Sequence, residues 1–130
     1  LRDRESLLET REQLSKTLPL FKKILNEARR RVEGWGGELI FVYLPSYYRS
    51  KGIDRRCLGM RDGVLKMASA LRIPIVDLVP IFSNNQSPAD DPWYYHGSHL
   101  SASGYRIAAE GILGYLENQP NLADLRRNTR

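Results

Sequence analysis

The spacing of apolar residues predicts a helix in the first third of the chain. Within residues 17–33, side chains suited to a core recur on one helical face: Phe21, Ile24, Leu25, Ala28 and Val32. Three closely spaced glycines then predict its end, Gly34, Gly36 and Gly37. Residues 1–16 carry a thinner apolar stripe on a charged segment. They predict a leading helix that stops or kinks near Pro19, because proline lacks the amide donor of a helix interior.

Two short apolar segments predict parallel strands. Residues 39–44 are continuously apolar and do not alternate, which is typical of a strand covered on both faces. A second apolar segment spans residues 73–78, and the residues between them predict a helix over 54–71. Strands joined by a helical crossover lie parallel with a right-handed connection. The pattern therefore predicts an α/β fold with a doubly wound parallel sheet.

The carboxyl-terminal third combines a long loop with a final helix. Residues 83–98 contain prolines, adjacent carboxylates and aromatics, and exceed most structure-free connections, which predicts a functional loop. Ser101 is placed to cap a helix over 102–117, and residues 118–130 are predicted to form a tail. The apolar pattern assigns the inner face of that helix to Tyr105, Ala108, Ala109, Ile112, Leu113 and Leu116.

Composition narrows the class of protein. The chain has 130 residues, of which 42% are hydrophobic and 27% charged, which predicts one domain or a fragment of one. The net charge is +5, but the excess of basic residues lies in residues 2–34, with nine basic and six acidic, and in residues 121–130, with three and one. Residues 35–120 carry eight of each, so no clustered phosphate-binding stripe is predicted from the sequence and no nucleic-acid partner is expected. No segment approaches the roughly 20 apolar residues that span a bilayer. A single cysteine, Cys57, excludes an internal disulfide.

Ligands of open parallel sheets bind beyond the carboxyl ends of the strands. The segment after the first strand and the long loop are both predicted to lie at that edge. Their candidate substrate-binding residues are Ser46, Tyr47, Trp93 and Tyr95, of which the aromatic ones could form a platform for a sugar or acyl group. Packing alone would explain such aromatics equally well.

Residues 99–110, HLSASGYRIAAE, begin with a histidine that precedes a small-residue turn, a glycine and an alanine-rich helix. This segment resembles the last sequence block of the SGNH (GDSL-type) esterase and lipase superfamily, and the likeness extends over about residues 17–117. It implies a flavodoxin-like, three-layer α/β/α fold with a parallel sheet. It also implies a serine hydrolase in which His99 is the general base, a role suited to a side chain that exchanges protons near neutral pH.

The segment departs from the family at the residue that orients the histidine. The family usually has an aspartate three residues earlier, where this chain has His96, and an imidazole supplies no fixed negative charge. His99 then acts either in a dyad helped by a carbonyl group or with a carboxylate from Asp77, Asp90 or Asp91. Two histidines and a loop aspartate are too sparse for zinc, so no metal or other cofactor is expected.

The Gly-Asp-Ser nucleophile block and the Gly-x-Asn-Asp block of the family do not occur in residues 1–130. In the family both precede the segments seen here. The chain is therefore interpreted as the carboxyl-terminal part of a serine ester hydrolase, inactive alone, whose substrate is a small-molecule or carbohydrate ester. Two alternatives stay open: a polysaccharide O-acyltransferase of the same superfamily, and a non-catalytic, degenerate binding domain.

This interpretation predicts association. Two strands are fewer than the about five of a complete sheet, so apolar strand faces and an edge should need cover from a second copy or from an amino-terminal half. We expect sedimentation velocity of residues 1–130 to show species larger than a monomer. A uniform monomer with no exposed apolar patch would contradict the prediction.

Overall fold

The computed structural model describes residues 2–47, 57–85, 91–93 and 99–119. Its elements, in chain order, are α1 (Arg2–Gly34), β1 (Phe41–Tyr43), α2 (Cys57–Ala70), β2 (Ile75–Asp77), α3 (Val79–Asn84) and α4 (Ala102–Glu117). The two strands pair in parallel in one sheet, as the hydrogen bonds from Phe41 N to Pro74 O and from Leu78 N to Tyr43 O show. Mixed helix and strand with parallel pairing confirms the α/β character. No helix in the described ranges has the length and apolar composition needed to cross a bilayer.

Helix α1 continues through Pro19, so the predicted end of a leading helix at that position is wrong. Proline removes only its own amide donor, and here it lies on an exposed position of the helix. Leu18 and Phe21, on either side of it, both pack against the buried core that α1 shares with α2. Packing before and after the proline therefore holds the helix together.

The glycines after α1 end it as predicted. Gly36 adopts a left-handed conformation with φ of 80°, which glycine reaches without a Cβ penalty. The amide of Gly37 then donates to the carbonyl of Val32 at 3.0 Å, and that of Gly36 donates to Glu33 at 3.0 Å. These two bonds satisfy carbonyl groups at the end of the helix.

The chain divides into two compact units. Unit 1 comprises residues 1–41 and 52–75, and unit 2 comprises residues 42–51 and 76–130. The core of unit 1 is formed by Leu25, Met67 and Ile73, with Leu18, Phe21, Leu39, Phe41 and Leu71 packed around it. Unit 1 therefore consists mainly of α1 packed against α2.

The arginine run of α1 has structural partners inside unit 1. Arg29 Nη1 donates to the carbonyl of Leu71, just beyond the end of α2, at 2.9 Å. Arg31 Nε donates to Glu27 Oε1 at 2.9 Å, and this hydrogen bond and charge hold the pKa of the Glu27 carboxyl below its ordinary value. These contacts are consistent with a structural role for the basic face of α1.

Unit 2 contains a short helix that the sequence patterns did not assign. Helix α3 includes residues 83 and 84, which were predicted to begin the long loop. Pro80 lies in its first turn, where the missing amide is tolerated, and Asp77 Oδ1 accepts a hydrogen bond from Val79 N at 3.1 Å. The side chain of Phe82 is buried and anchors the helix within unit 2.

Helix α4 packs through small residues, so the predicted inner face is wrong in part. Gly104 and Ile107 are buried, whereas Tyr105 is 63% exposed and Leu113 is also exposed. At Gly111 a Cβ would lie 2.6 Å from Leu78 Cδ2, closer than side chains approach. The apolar pattern assigned the large residues of the helix to the interior. The surface of α4 that contacts α3 and the residue before it is instead the one that carries glycine.

Two methionines on α2 allow a matched test of the unit 1 core. Met67 is 9% exposed and Met60 is 44% exposed. We expect Met67→Ala to lower the free energy of unfolding by about 2–5 kcal/mol, because truncation leaves a cavity. Met60→Ala should lower it by under about 1 kcal/mol. Urea unfolding of both variants measures the difference, and equal losses would contradict this core.

Candidate functional site

Unit 2 contains a cavity of about 360 Å³ beyond the carboxyl end of β1. Its walls are formed by Leu44, Pro45, Ser46, Tyr47, Trp93, His99, Leu100 and Tyr105. Four of the residues selected from the sequence therefore lie around one cavity: Ser46, Tyr47, Trp93 and His99. This is the edge at which open parallel sheets bind their ligands.

The end of β1 places Ser46 and Tyr47 in this wall. The last ladder bond of the strand joins Leu78 N to Tyr43 O at 3.0 Å. Pro45, two residues later, is buried and has no amide to continue the ladder. The chain then leaves the sheet, and the ring of Tyr47 packs edge-on against Trp93 with centroids 6.0 Å apart.

Trp93 connects three parts of unit 2. Its ring lies 5.9 Å from that of Phe82 on α3, and its backbone forms an antiparallel bridge with Leu100. Its amide donates to Asp91 Oδ1 at 3.0 Å, which fixes the turn before it. The side chain is only 6% exposed, and its indole Nε1 is buried without a hydrogen-bond partner among the described residues.

Ser101 joins the turn before Trp93 to the start of α4. Its amide donates to Pro92 O at 3.0 Å and its hydroxyl donates to Asp91 O at 2.7 Å. The same hydroxyl accepts from Gly104 N at 3.2 Å and so caps the helix. We call this set of contacts the Ser101 junction.

Gly104 allows the two backbone segments of the Ser101 junction to lie close together. A Cβ on this residue would collide with the carbonyl oxygen of Pro92. Leu100, between His99 and the junction, is buried. Packing or capping thus explains the residue types at three positions of the block that begins at His99: Leu100, Ser101 and Gly104.

The local fold does not explain the choice of histidine at position 99. Its side chain is exposed and lines the cavity. In the part of the chain that the structure describes, its imidazole makes no hydrogen bond or ion pair. A ring that takes no part in holding the turn is available to a molecule in the cavity.

The aspartates proposed to orient His99 have other partners. Asp91 Oδ1 accepts from the amide of Trp93 and Asp77 Oδ1 accepts from the amide of Val79. Both arrangements are short-range contacts that shape a turn or a helix start. Neither carboxylate contacts the imidazole among the described contacts. Asp90, Tyr95 and His96 lie outside the described residues, so their predicted roles stay predictions.

The structure adds a residue to the site that sequence reasoning had assigned to the core. Tyr105 lines the cavity, and its amide donates to Ser101 O within the first turn of α4. Among the described residues, no group of three histidine, cysteine or carboxylate side chains is placed to hold a metal ion.

Comparison with family models, with curated proteins and with solved structures found no match to this chain. The chemistry assigned to the cavity therefore depends on its own residues and on the resemblance of the segment that begins at His99.

The Ser101 junction predicts opposite effects at two glycines of α4. Gly104→Ala places a methyl group against Pro92 O, so we expect a lower free energy of unfolding. At Gly114 no described atom lies within 4 Å of the added methyl, so Gly114→Ala should stabilise the helix by up to about 1 kcal/mol. Thermal unfolding measures both. A stabilised Gly104→Ala variant would show that the close approach is not required.

Proposed function

We propose that this chain is the histidine-bearing, carboxyl-terminal part of a serine ester hydrolase of the SGNH (GDSL) type, with His99 as general base. The observation that carries the proposal is the exposed imidazole of His99 in the wall of a cavity beyond the carboxyl end of β1. The nucleophilic hydroxyl is proposed to come from a segment other than residues 1–130. Ser46, Tyr47 and Trp93 are proposed to contact the substrate.

The imidazole transfers one proton in each direction. As the nucleophilic hydroxyl attacks the ester carbonyl, the unprotonated ring nitrogen of His99 takes the hydroxyl proton. When the tetrahedral intermediate collapses, the same nitrogen gives that proton to the leaving alcohol, and an acyl-enzyme remains. Water then attacks the acyl-enzyme with the same two proton transfers through His99, which frees the nucleophilic hydroxyl and releases the carboxylic acid. Each half-reaction returns His99 to its neutral form.

Two arrangements are proposed to orient His99. Asp91 Oδ1 and Asp77 Oδ1 each accept a hydrogen bond from a backbone amide among the described contacts. A carboxylate beside the imidazole normally stabilises the imidazolium and fixes its tautomer. His99 is proposed to work either in a dyad helped by a carbonyl group or with a carboxylate from Asp77, Asp90 or Asp91.

The three-layer α/β/α arrangement belongs to the same proposal. Val42 on β1 and Leu44 just after its end are apolar and exposed. Strands of parallel sheets are normally covered on both faces. Exposed apolar side chains on such a strand support a further segment, or a second copy, that packs over it.

A non-catalytic binding domain is the second candidate. The lack of a described carboxylate contact at His99 favours it, because a histidine retained only to bind ligand needs no orienting charge. An O-acyltransferase would use the same proton transfers, with a sugar hydroxyl in place of water as the acceptor of the acyl group.

Turnover of p-nitrophenyl acetate by the natural polypeptide that contains residues 1–130 tests the proposal. We expect His99→Ala to lower kcat/KM by about 10²–10⁴-fold, because the general base is lost. Lys66→Ala, an exposed substitution on α2, should leave turnover unchanged.

Ser46→Ala distinguishes the source of the nucleophile. We expect less than about a tenfold loss, because the Ser46 hydroxyl is proposed only to bind substrate. A loss equal to that of His99→Ala would make Ser46 the nucleophile and contradict an external hydroxyl. A wild type without turnover that still binds the ester supports the binding domain, and unchanged turnover in His99→Ala would exclude His99 as base.

A further inference from the structure

We infer that helix α1 carries a surface that binds anionic lipid membranes, formed by an apolar stripe beside a row of cations. The apolar stripe consists of Leu20, Ile24 and Trp35, and the basic row consists of Lys16, Lys23 and Arg30. We call the two together the α1 surface. It belongs to unit 1 and includes none of the residues that line the cavity in unit 2, so the inference goes beyond the proposed function and does not depend on it.

The apolar stripe is not used by the core of unit 1. Helix α1 packs on that core through other residues, among them Phe21 and Leu25. Leu20 is 60% exposed and Ile24 is 55% exposed, although the sequence pattern assigned Ile24 to the buried face. Their four-residue spacing places them side by side on the helix. Two large apolar side chains are therefore available to a partner outside the core.

Trp35 extends the stripe to the carboxyl end of α1. It is 76% exposed, and its amide donates to Val32 O at 3.2 Å, so the chain still turns as a helix does at this position. The 11 residues from Ile24 to Trp35 correspond to about three helical turns, which returns the chain to the same side. Its indole lies beside Gly37, where an added Cβ would come within 2.5 Å of Nε1.

The basic row lies directly beside the stripe. Lys16, Lys23 and Arg30 are exposed and are spaced by seven residues, or about two turns, so they form one line along α1. Lys16 and Lys23 are each three or four residues from Leu20, which makes them its neighbours on the helix surface. Charge counts along the sequence do not show this row, because its members are adjacent only on the folded helix.

The positive charge near the row exceeds the negative charge. Residues 16–31 contain six basic residues and one acidic residue, Glu27, for a net charge of +5. Glu27 is shared between Arg31 at 2.9 Å and Arg30 at 3.9 Å, and Glu12 pairs with Lys16 at 2.7 Å. Exposed pairs of this kind are weak. Lys23 forms no ion pair among the described contacts, so the row retains charge for an anionic partner.

Charge and shape together favour a membrane as that partner. A second copy that paired antiparallel through the same stripe would place two basic rows along one seam, without an acidic row to meet them. A nucleic acid would meet the cations but leave the apolar stripe in water. The surface of a single helix is convex, whereas small ligands bind in concave sites.

A lipid surface satisfies both parts of the α1 surface. A helix that lies in the plane of the membrane places apolar side chains at the boundary of the acyl chains and cations near anionic headgroups. Tryptophan is enriched at this boundary, where its ring is partly in the apolar layer and its N–H is near water. Leu20, Ile24 and Trp35 would enter the boundary, and the basic row would remain at the headgroups.

Co-sedimentation of the natural polypeptide that contains residues 1–130 with lipid vesicles tests the inference. We expect binding to phosphatidylcholine vesicles that contain about one-third phosphatidylserine, and little binding to phosphatidylcholine alone. Binding to the mixed vesicles should weaken about tenfold between about 0.05 and 0.5 M NaCl, because salt screens the cations. Equal binding to the two kinds of vesicle would overturn the inference.

Two exposed lysines provide a matched test of the basic row. Lys23 belongs to the row, whereas Lys66 is exposed on α2 outside it. We expect Lys23→Gln to weaken binding to the mixed vesicles about fivefold and Lys66→Gln to weaken it less than about twofold. Both variants lose the same charge. Equal losses would show that only the net charge of the protein matters, which would overturn the inference.

The apolar stripe is tested in the same assay. Ile24→Ser should weaken binding about fivefold, whereas Leu113→Ser, at an exposed position of α4, should leave it unchanged. Tryptophan fluorescence should shift to shorter wavelength when the mixed vesicles are added, and Trp35→Phe should abolish that shift. Binding without a shift that depends on Trp35 would contradict entry of the stripe into the membrane.

Poly-glutamate tests an acidic protein as the alternative partner. Binding to this soluble polymer without binding to the mixed vesicles would indicate such a partner and overturn the inference. The comparison of vesicles uses unaltered protein, so it decides the question even if a variant fails to fold. None of these measurements involves turnover, so they are independent of the result for His99.

Discussion

The Ser101 junction is the interaction on which the candidate site depends. One serine donates to the carbonyl groups of Asp91 and Pro92 and caps helix α4, so two backbone segments, residues 91–92 and the start of α4, are joined by a single side chain and its amide. Two residues before it, His99 is thereby held at the cavity without using its own imidazole. The close approach at Gly104 makes the junction specific to a residue without a Cβ.

The arrangement separates structural from chemical roles within a short segment. Leu100 is buried and Ser101 makes the local hydrogen bonds, while His99 stays exposed. On the other wall, Trp93 is packed on its faces and leaves its only polar atom without a described partner. The cavity wall thus combines the exposed ring of His99 with apolar groups. This is why the histidine carries the proposed function.

The use of glycine explains why one sequence interpretation was wrong. The apolar pattern of α4 directed Tyr105 and Leu113 to the interior, yet the helix buries Gly104 and Ile107 and packs Gly111 against Leu78. Hydrophobicity scales give weight to large apolar residues, whereas close helix packing selects residues with little side chain. The exposure of Tyr105 follows from this choice, and it places a phenol ring in the cavity wall. At Pro19, too, tertiary packing outweighed a local sequence preference. Contacts before and after the proline keep α1 continuous.

Sequence patterns alone were enough to predict the helix–strand–helix–strand order of residues 17–78, the glycine end of α1, the cap at Ser101 and four members of the cavity wall. Periodicity, glycine conformation and capping are local properties, and parallel strand ends meet at one edge, so these could be predicted. The tertiary structure was needed to show that Tyr105 lines the cavity and that the indole nitrogen of Trp93 is buried without a described partner. Each of these depends on which distant groups come within hydrogen-bond or packing distance, and a linear pattern does not contain that information.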